Sequence, residues 1–136
     1  MRLLSSHGVE YLLVGAYAVG YYGYPRPTGD MDIWVGMHQR NAEKMVEAIA
    51  GFGFRVPELS PALFLKVDQH VRMGVPPLRI DLLTTISGVG FEECYPQRTR
   101  AAVEGVAVDV ISLEHLKKNK DASGRHKDLD DLEHLP

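Results

Sequence analysis

The sequence predicts an α/β (α+β) domain, a small mixed β-sheet with helices packed against it. Short apolar runs of strand length, bounded by Gly and Pro, alternate with segments whose apolar residues recur at helical spacing. The 136 residues suffice for one core but not two, so 1–136 reads as a single domain. A composition 45% hydrophobic and 24% charged is ordinary for a globular chain.

In order along the chain, Val9 to Val14 reads as a buried strand ended by Gly15. Ala16 to Tyr22 is long enough for about two helical turns, with Gly23 as its stop and Pro25 and Pro27 preventing continuation. Met31 to Val35 is a second strand. Asn41 is expected to cap the next helix, whose Met45, Ile49 and Phe52 form an apolar stripe closed by Gly51 and Gly53. Ala62 to Val67 and Leu78 to Leu83 read as strands separated by the "MGVPP" turn. Ala101 to Val103 and Val106 to Ile111 suggest a hairpin turning at Glu104-Gly105. Ser112 caps a helix, and after the Ser123-Gly124 break a last helix covers roughly Lys127 to Leu135. No repeat or low-complexity segment interrupts this order.

The bulk numbers exclude several classes. A net charge of −3 argues against broad, non-specific nucleic-acid binding. The single cysteine, Cys94, excludes an internal disulfide and fits a reducing cytoplasm, the expected location. No apolar run reaches the length of a membrane span, and the N-terminus has no signal-peptide pattern, so no membrane partner is expected. The abrupt start on Met-Arg-Leu-Leu leaves room for a longer N-terminal helix in the parent gene. The six histidines show no paired zinc spacing; His70 and His126 read as surface residues, and Cys94 as a half-buried thiol.

The segment "LLVGAYAVGYYGYPRPTGDMDIWVG" holds the chemistry. Asp30 and Asp32 interrupt an apolar strand and, by strand parity, project from one face about 7 Å apart along the backbone. Two such anions repel. A divalent cation resolves the conflict, because Mg²⁺ takes hard oxygen ligands and shares them with substrate phosphates. Asp81, in "LRIDLLT", lies on another expected strand; if the strands are neighbours, three carboxylates converge as a two-metal phosphoryl-transfer site requires. A structural role remains open for each: Asp-x-Asp is common at strand edges, and Arg79 could be Asp81's surface partner. Gly15-Ala16, between strand and helix, leaves backbone N–H groups open to phosphate.

This ordered set resembles the DNA polymerase β-like nucleotidyltransferase superfamily: strand, Gly-small residue, short helix, Asp-x-Asp, later strand aspartate. "VGAYAVGYYGYPRPTGDMDIWV" looks particularly like its small prokaryotic branch, the minimal nucleotidyltransferases and abortive-infection-type nucleotidyltransferase toxins. The tail "SLEHLKKNKDASGRHKDLDDLEHL" resembles that branch's closing motif, so the likeness covers nearly the whole chain. The usual first motif is Gly followed by Gly or Ser; Ala16 keeps the space but lacks the hydroxyl of Ser.

The resemblance implies a metal-dependent transfer of a nucleoside monophosphate from an NTP to an acceptor hydroxyl on a protein, an RNA such as tRNA, or a small molecule. Asp30 and Asp32 would hold Mg²⁺ or Mn²⁺, and Asp81 would complete the site as metal ligand or general base. Gly15 and Ala16 would receive the nucleotide. Arg26 and Thr28 resemble the branch's Arg-x-Thr: Arg26 would clamp the triphosphate or stay solvated in a rigid turn, and Thr28 would bond the triphosphate or order the loop. Lys120 is expected to face the site and reach the β- or γ-phosphate. Lys117 and Lys118 point elsewhere, about 60° and 160° around the helix. Asp128 would orient Arg125 or Lys120, or tie down the last helix, and the rest of the basic patch reads as solvated surface.

Tyr17, Tyr21, Tyr22 and Tyr24 read as packing residues, with base stacking a lesser option, and Trp34 as core. Three other functions compete. A metal-dependent nuclease core places Asp or Glu two residues before a Lys, which no lysine here has. A toxin–antitoxin component with a partner encoded nearby overlaps the first reading, and a homodimer surface would serve as well. A non-catalytic interaction module could keep the fold, but the three candidate ligands are intact.

Overall fold

A computed structural model describes residues 2–25, 28–53, 56–75, 78–103 and 105–136. Helix α1 (Arg2–Ser6) leads into strand β1 (Tyr11–Val14), α2 (Gly15–Tyr21), β2 (Asp30–Val35) and α3 (Gln39–Phe52). A 3-10 turn (Pro61–Phe64) precedes β3 (His70–Val75) and β4 (Leu78–Leu83). Short α4 (Phe91–Cys94) and a second 3-10 turn (Tyr95–Gln97) lead to β5 (Thr99–Val103), β6 (Val106–Val110), α5 (Leu113–Ser123) and α6 (His126–His134).

The strands form one mixed sheet in the order β3-β4-β2-β1-β6-β5. β1 is antiparallel to β2 and parallel to β6; β2 is parallel to β4; β3–β4 and β5–β6 are antiparallel. The central strand β1 is buried along its whole length, as its unbroken apolar run requires. Its Tyr11 and Leu12 join Ile33, Trp34, Met45, Ile49 and Leu82 in the core. β2 changes character midway: Asp30 to Asp32 are half-buried, Ile33 to Val35 buried. The sheet thus buries one end of β2 and opens the other. Among the described residues no helix is long and apolar enough to cross a membrane.

Four local expectations differ from the structure. The strand beside β4 is His70–Val75, not Ala62 to Val67: Pro61 opens a 3-10 turn whose Phe64 alone is buried. In β3, Val71 and Met73 are buried while Arg72 is exposed, the period-2 pattern of a strand with one covered face. His38, not Asn41, caps α3, its ring nitrogen accepting from the Asn41 amide at 3.4 Å. The Asn41 side chain turns inward, accepting from the Glu10 amide at 2.7 Å and donating to the Glu10 and Gly36 carbonyls. Phe52 leaves its stripe, 62% exposed in the last turn of α3. Cys94 is fully buried rather than half-buried, and burial pushes its thiol up to about 11.

The remaining elements lie within a few residues of expectation. Ser112 caps α5 by accepting from the His115 amide at 3.2 Å, and Gly124 ends it with a left-handed φ of 66°. Tyr22 donates to the Ile111 carbonyl at 2.6 Å, and Tyr24 stacks on His134 while donating to Asp130. Tyr21 is exposed. Trp34 is core, its indole N–H donating to the Thr84 carbonyl at 3.2 Å. The Glu104 turn and Pro76-Pro77 of "MGVPP" lie outside the described residues.

Candidate functional site

Backbone register assembles the site. β2 and β4 run parallel with Asp32 opposite Asp81, so the two carboxylates sit side by side on one face, with Asp30 two residues back. β1 pairs Val14 with Asp32 and ends there, which delivers Gly15 against the Asp32 side chain. A cleft of about 590 Å³ opens over this corner. Gly15, Ala16, Thr28, Asp30, Asp32, Asp81 and Lys120 all line it, which brings seven of the eight expected residues together. Arg26, the eighth, lies outside the described residues.

Each carboxylate has a different environment. Asp30 is about one-third exposed and meets Arg79 Nε at 3.1 Å. Asp81 is buried and gripped by β3: Arg72 Nε lies 2.8 Å and His70 Nε2 2.9 Å from its Oδ1, with Arg72 Nη2 3.3 Å from Oδ2. Arg79, which the structural alternative gave to Asp81, pairs with Asp30 instead. The Asp32 carboxylate makes no hydrogen bond or ion pair among the described residues. Burial, then the charges of Asp81 and Asp30, push its carboxyl above the ordinary range, and Lys127 and His70 offset only part of this. Burial alone would raise Asp81 too, but the Arg72 and His70 hydrogen bonds bring it below the usual value. No group of three His, Cys, Asp or Glu among the described residues is arranged to hold a metal ion. Asp81 is near enough in register, but its oxygens are turned to β3.

Thr28 orders the approach to β2, its hydroxyl accepting from the Asp30 amide at 3.2 Å. Lys120 enters the cleft wall from α5 but is only 4% exposed. Its ammonium lies 3.1 Å from Asp128 Oδ1 and 3.2 Å from Asp131 Oδ2, both fully buried on α6. Arg125 holds Asp128 from outside at 2.7 Å, so Asp128 serves both expected partners and locks α6 to α5. Lys118 pairs with Glu114 and Lys117 reaches the Pro136 carbonyl, both away from the cleft. Among the described residues the exposed cations of the cleft are Arg72, Arg125 and Lys127.

Sequence reasoning missed His70, Arg72 and Lys127 as cleft residues. The signal for the first two was the alternation His70-Val71-Arg72-Met73, which with Arg72 opposite Asp81 puts His70 and Arg72 on the face of Asp81. Lys127 lies in the closing "GRHKDLDD" stretch but reads there, with the rest of the basic patch, as solvated surface.

Asp128 makes stability acid-sensitive. Burial raises its pKa, but Arg125 and Lys120 outweigh that and lower it from 3.8 to about 2. A folded pKa below the unfolded one means the contribution is complete above the unfolded value and is lost as pH falls through the folded one. The thermal midpoint is therefore expected to fall between about pH 4 and 2, and Asp128→Asn to flatten that fall. Circular-dichroism melts across the window measure it; an unchanged slope in the variant would remove Asp128 from the acid response.

No family model matches the chain, and no curated protein matches it by sequence. Solved structures do. TM1012 from Thermotoga maritima, a protein assigned to the nucleotidyltransferases, superposes with a TM-score of 0.64 at 15% identity, covering 96% of this chain and 84% of that one. The lincosamide antibiotic adenylyltransferase LnuA, solved with lincomycin, gives 0.59 at 13% identity, covering 96% and 88%. ANT(2")-Ia, solved with adenylyl-2"-tobramycin, gives 0.60 at 14% identity, covering 96% and 80%. The chain has the nucleotidyltransferase fold.

Proposed function

We propose that this domain transfers a nucleoside monophosphate from an NTP to an acceptor hydroxyl, with a divalent cation, Mg²⁺ or Mn²⁺, held by Asp30 and Asp32. The observation that carries this is the opposition of Asp32 and Asp81 on adjacent strands, with Asp30 on the same face and Gly15 against them in one cleft. The donor set fits a hard cation, being carboxylate oxygen with no sulfur ligand. Asp32, half-buried and with its pKa raised by burial and two like charges, is where a cation would relieve the most repulsion. When bound, the cation would neutralise triphosphate charge and stabilise the leaving pyrophosphate.

The chain's own residues supply positioning. The open backbone at Gly15 and Ala16 admits the phosphates, and Arg125 and Lys127 offer them positive charge. The acceptor oxygen forms a bond to the α-phosphorus while the bond to pyrophosphate breaks, and the acceptor proton leaves towards the carboxylate side of the cleft. LnuA and ANT(2")-Ia are named with antibiotics, which favours a small-molecule acceptor as the first to be tried. Label transfer from α-labelled NTPs into cell extract, separated into protein, RNA and small molecules, identifies the acceptor class. Absence of Asp32-dependent transfer into all three would overturn the reading.

Asp32→Asn is expected to fold normally and to gain slightly in stability at neutral pH. Its carboxyl pKa is higher folded than unfolded, so ionisation costs stability as pH rises past the ordinary value, and Asn removes that cost. The variant should lose the rise in thermal midpoint that Mg²⁺ with an NTP gives the wild type. Equal shifts in both proteins would count against the site.

A further inference from the structure

Asp81 differs from the other two carboxylates in how completely it is occupied. Three contacts from β3 reach it: hydrogen bonds from Arg72 Nε at 2.8 Å and Arg72 Nη2 at 3.3 Å, and His70 Nε2 at ion-pair distance, 2.9 Å. A carboxylate offers about four lone-pair sites, so little remains for a further ligand. A cation approaching Asp81 would also meet the Arg72 guanidinium, a like charge, at contact. Nor can Asp81 swing away. It is 3% exposed and fixed in register between Asp32 on β2 and Arg72 on β3. The β3 side chains are the movable half of the arrangement, since His70 and Arg72 are 50% and 47% exposed.

We propose that His70 and Arg72 are positioning residues, a two-residue clamp that keeps Asp81 off the metal site. Without nucleotide the cleft then takes a single divalent cation on Asp30 and Asp32. The inference rests on the proposed reading of Asp30 and Asp32 as metal ligands and adds an order of events to it. The first cation binds at the Asp-x-Asp pair. Asp81 becomes available only when Arg72 and His70 find other acceptors, and the oxygens of an incoming triphosphate are acceptors of the right kind. The clamp would thereby tie use of the third carboxylate to the presence of substrate.

Mn²⁺ binding to the full chain without nucleotide, followed by electron paramagnetic resonance and calorimetry, tests this. Wild type should take one ion per chain. Asp32→Asn should weaken it by about tenfold or more, and Asp81→Asn should leave it within about twofold. His70→Asn with Arg72→Gln should bind a second ion or bind the first about tenfold tighter, and adding Asp81→Asn should erase that gain. Arg72→Lys, which keeps a charge without the two-pronged grip, should fall between. If Asp81→Asn weakens wild-type binding as much as Asp32→Asn, Asp81 is a standing ligand and the clamp is wrong. That comparison needs only single variants, so it decides the matter even if the clamp variants fail to fold. No Mn²⁺ binding at all would instead overturn the metal reading itself, and the clamp with it.

Discussion

Lys120→Ala is expected to destabilise the domain by about 3–5 kcal/mol, a large part of the roughly 5–15 kcal/mol typical of a domain. The wild-type ammonium sits between two carboxylates that are both fully buried, and α5 and α6 meet through it. Removing one member of a buried ion group leaves charge in a medium that solvates it poorly. Arg125 still reaches Asp128 in the variant, so the loss is cushioned there. Lys120→Ala combined with Asp131→Asn, which removes one of the two carboxylate charges facing the lost ammonium, should recover part of the loss. Urea melts of the two proteins measure this. If Lys120→Ala costs less than about 1 kcal/mol, water reaches the pair and the group behaves as a surface one. A triphosphate-binding role would show separately, as a larger loss for nucleoside triphosphate than for monophosphate at a temperature where the variant is folded.

Gly15→Ala is expected to cost about 1–2 kcal/mol from backbone alone, because residue 15 has a left-handed φ of 67°. The steric effect is larger in kind. A Cβ at this position would lie 2.3 Å from Asp32 Oδ2 and 3.1 Å from the Asp32 Cβ. Asp32 would have to rotate away from its place beside Asp81. The nucleotide-dependent thermal shift should then fall to the level of Asp32→Asn, although neither charge nor ligand has been removed. Ala16→Gly, one residue on, should leave the shift intact. If Gly15→Ala keeps the full shift, the site tolerates a displaced Asp32 and its geometry is not what binds.

Much of this site could be read from the chain because its parts are local. Asp30 and Asp32 share a face by parity, and the apolar neighbours of Asp81 mark its strand. Gly15 ends an apolar run where only a small residue lets Asp32 approach. What could not be read was pairing between segments. Arg72 and Arg79 are equally placed by sequence to meet Asp81, and only the β3–β4 register, with Arg72 opposite Asp81, separates them. The wrong strand was expected beside β4 because "PALFLKV" is more apolar than "HVRMGV", although Pro61 favours a tight turn and the second run alternates. Lys120 was legible as a residue directed to the cleft, but its engagement by Asp128 and Asp131 depends on how α6 folds back after Gly124.

Trp34 gives the molecule an optical property of its own. It is the chain's single tryptophan, two residues beyond Asp32 on the same strand face and almost wholly buried. Its N–H is tied to the Thr84 carbonyl, where β4 passes into the Thr85-Ile86-Ser87 wall of the cleft, and Phe91 stands edge-on to it at 5.2 Å. All indole emission therefore comes from one shielded site mechanically joined to the wall a nucleotide would press. Displacement of that wall is readable as a change in wavelength or lifetime of native fluorescence, with no dye attached and no second tryptophan to dilute the signal.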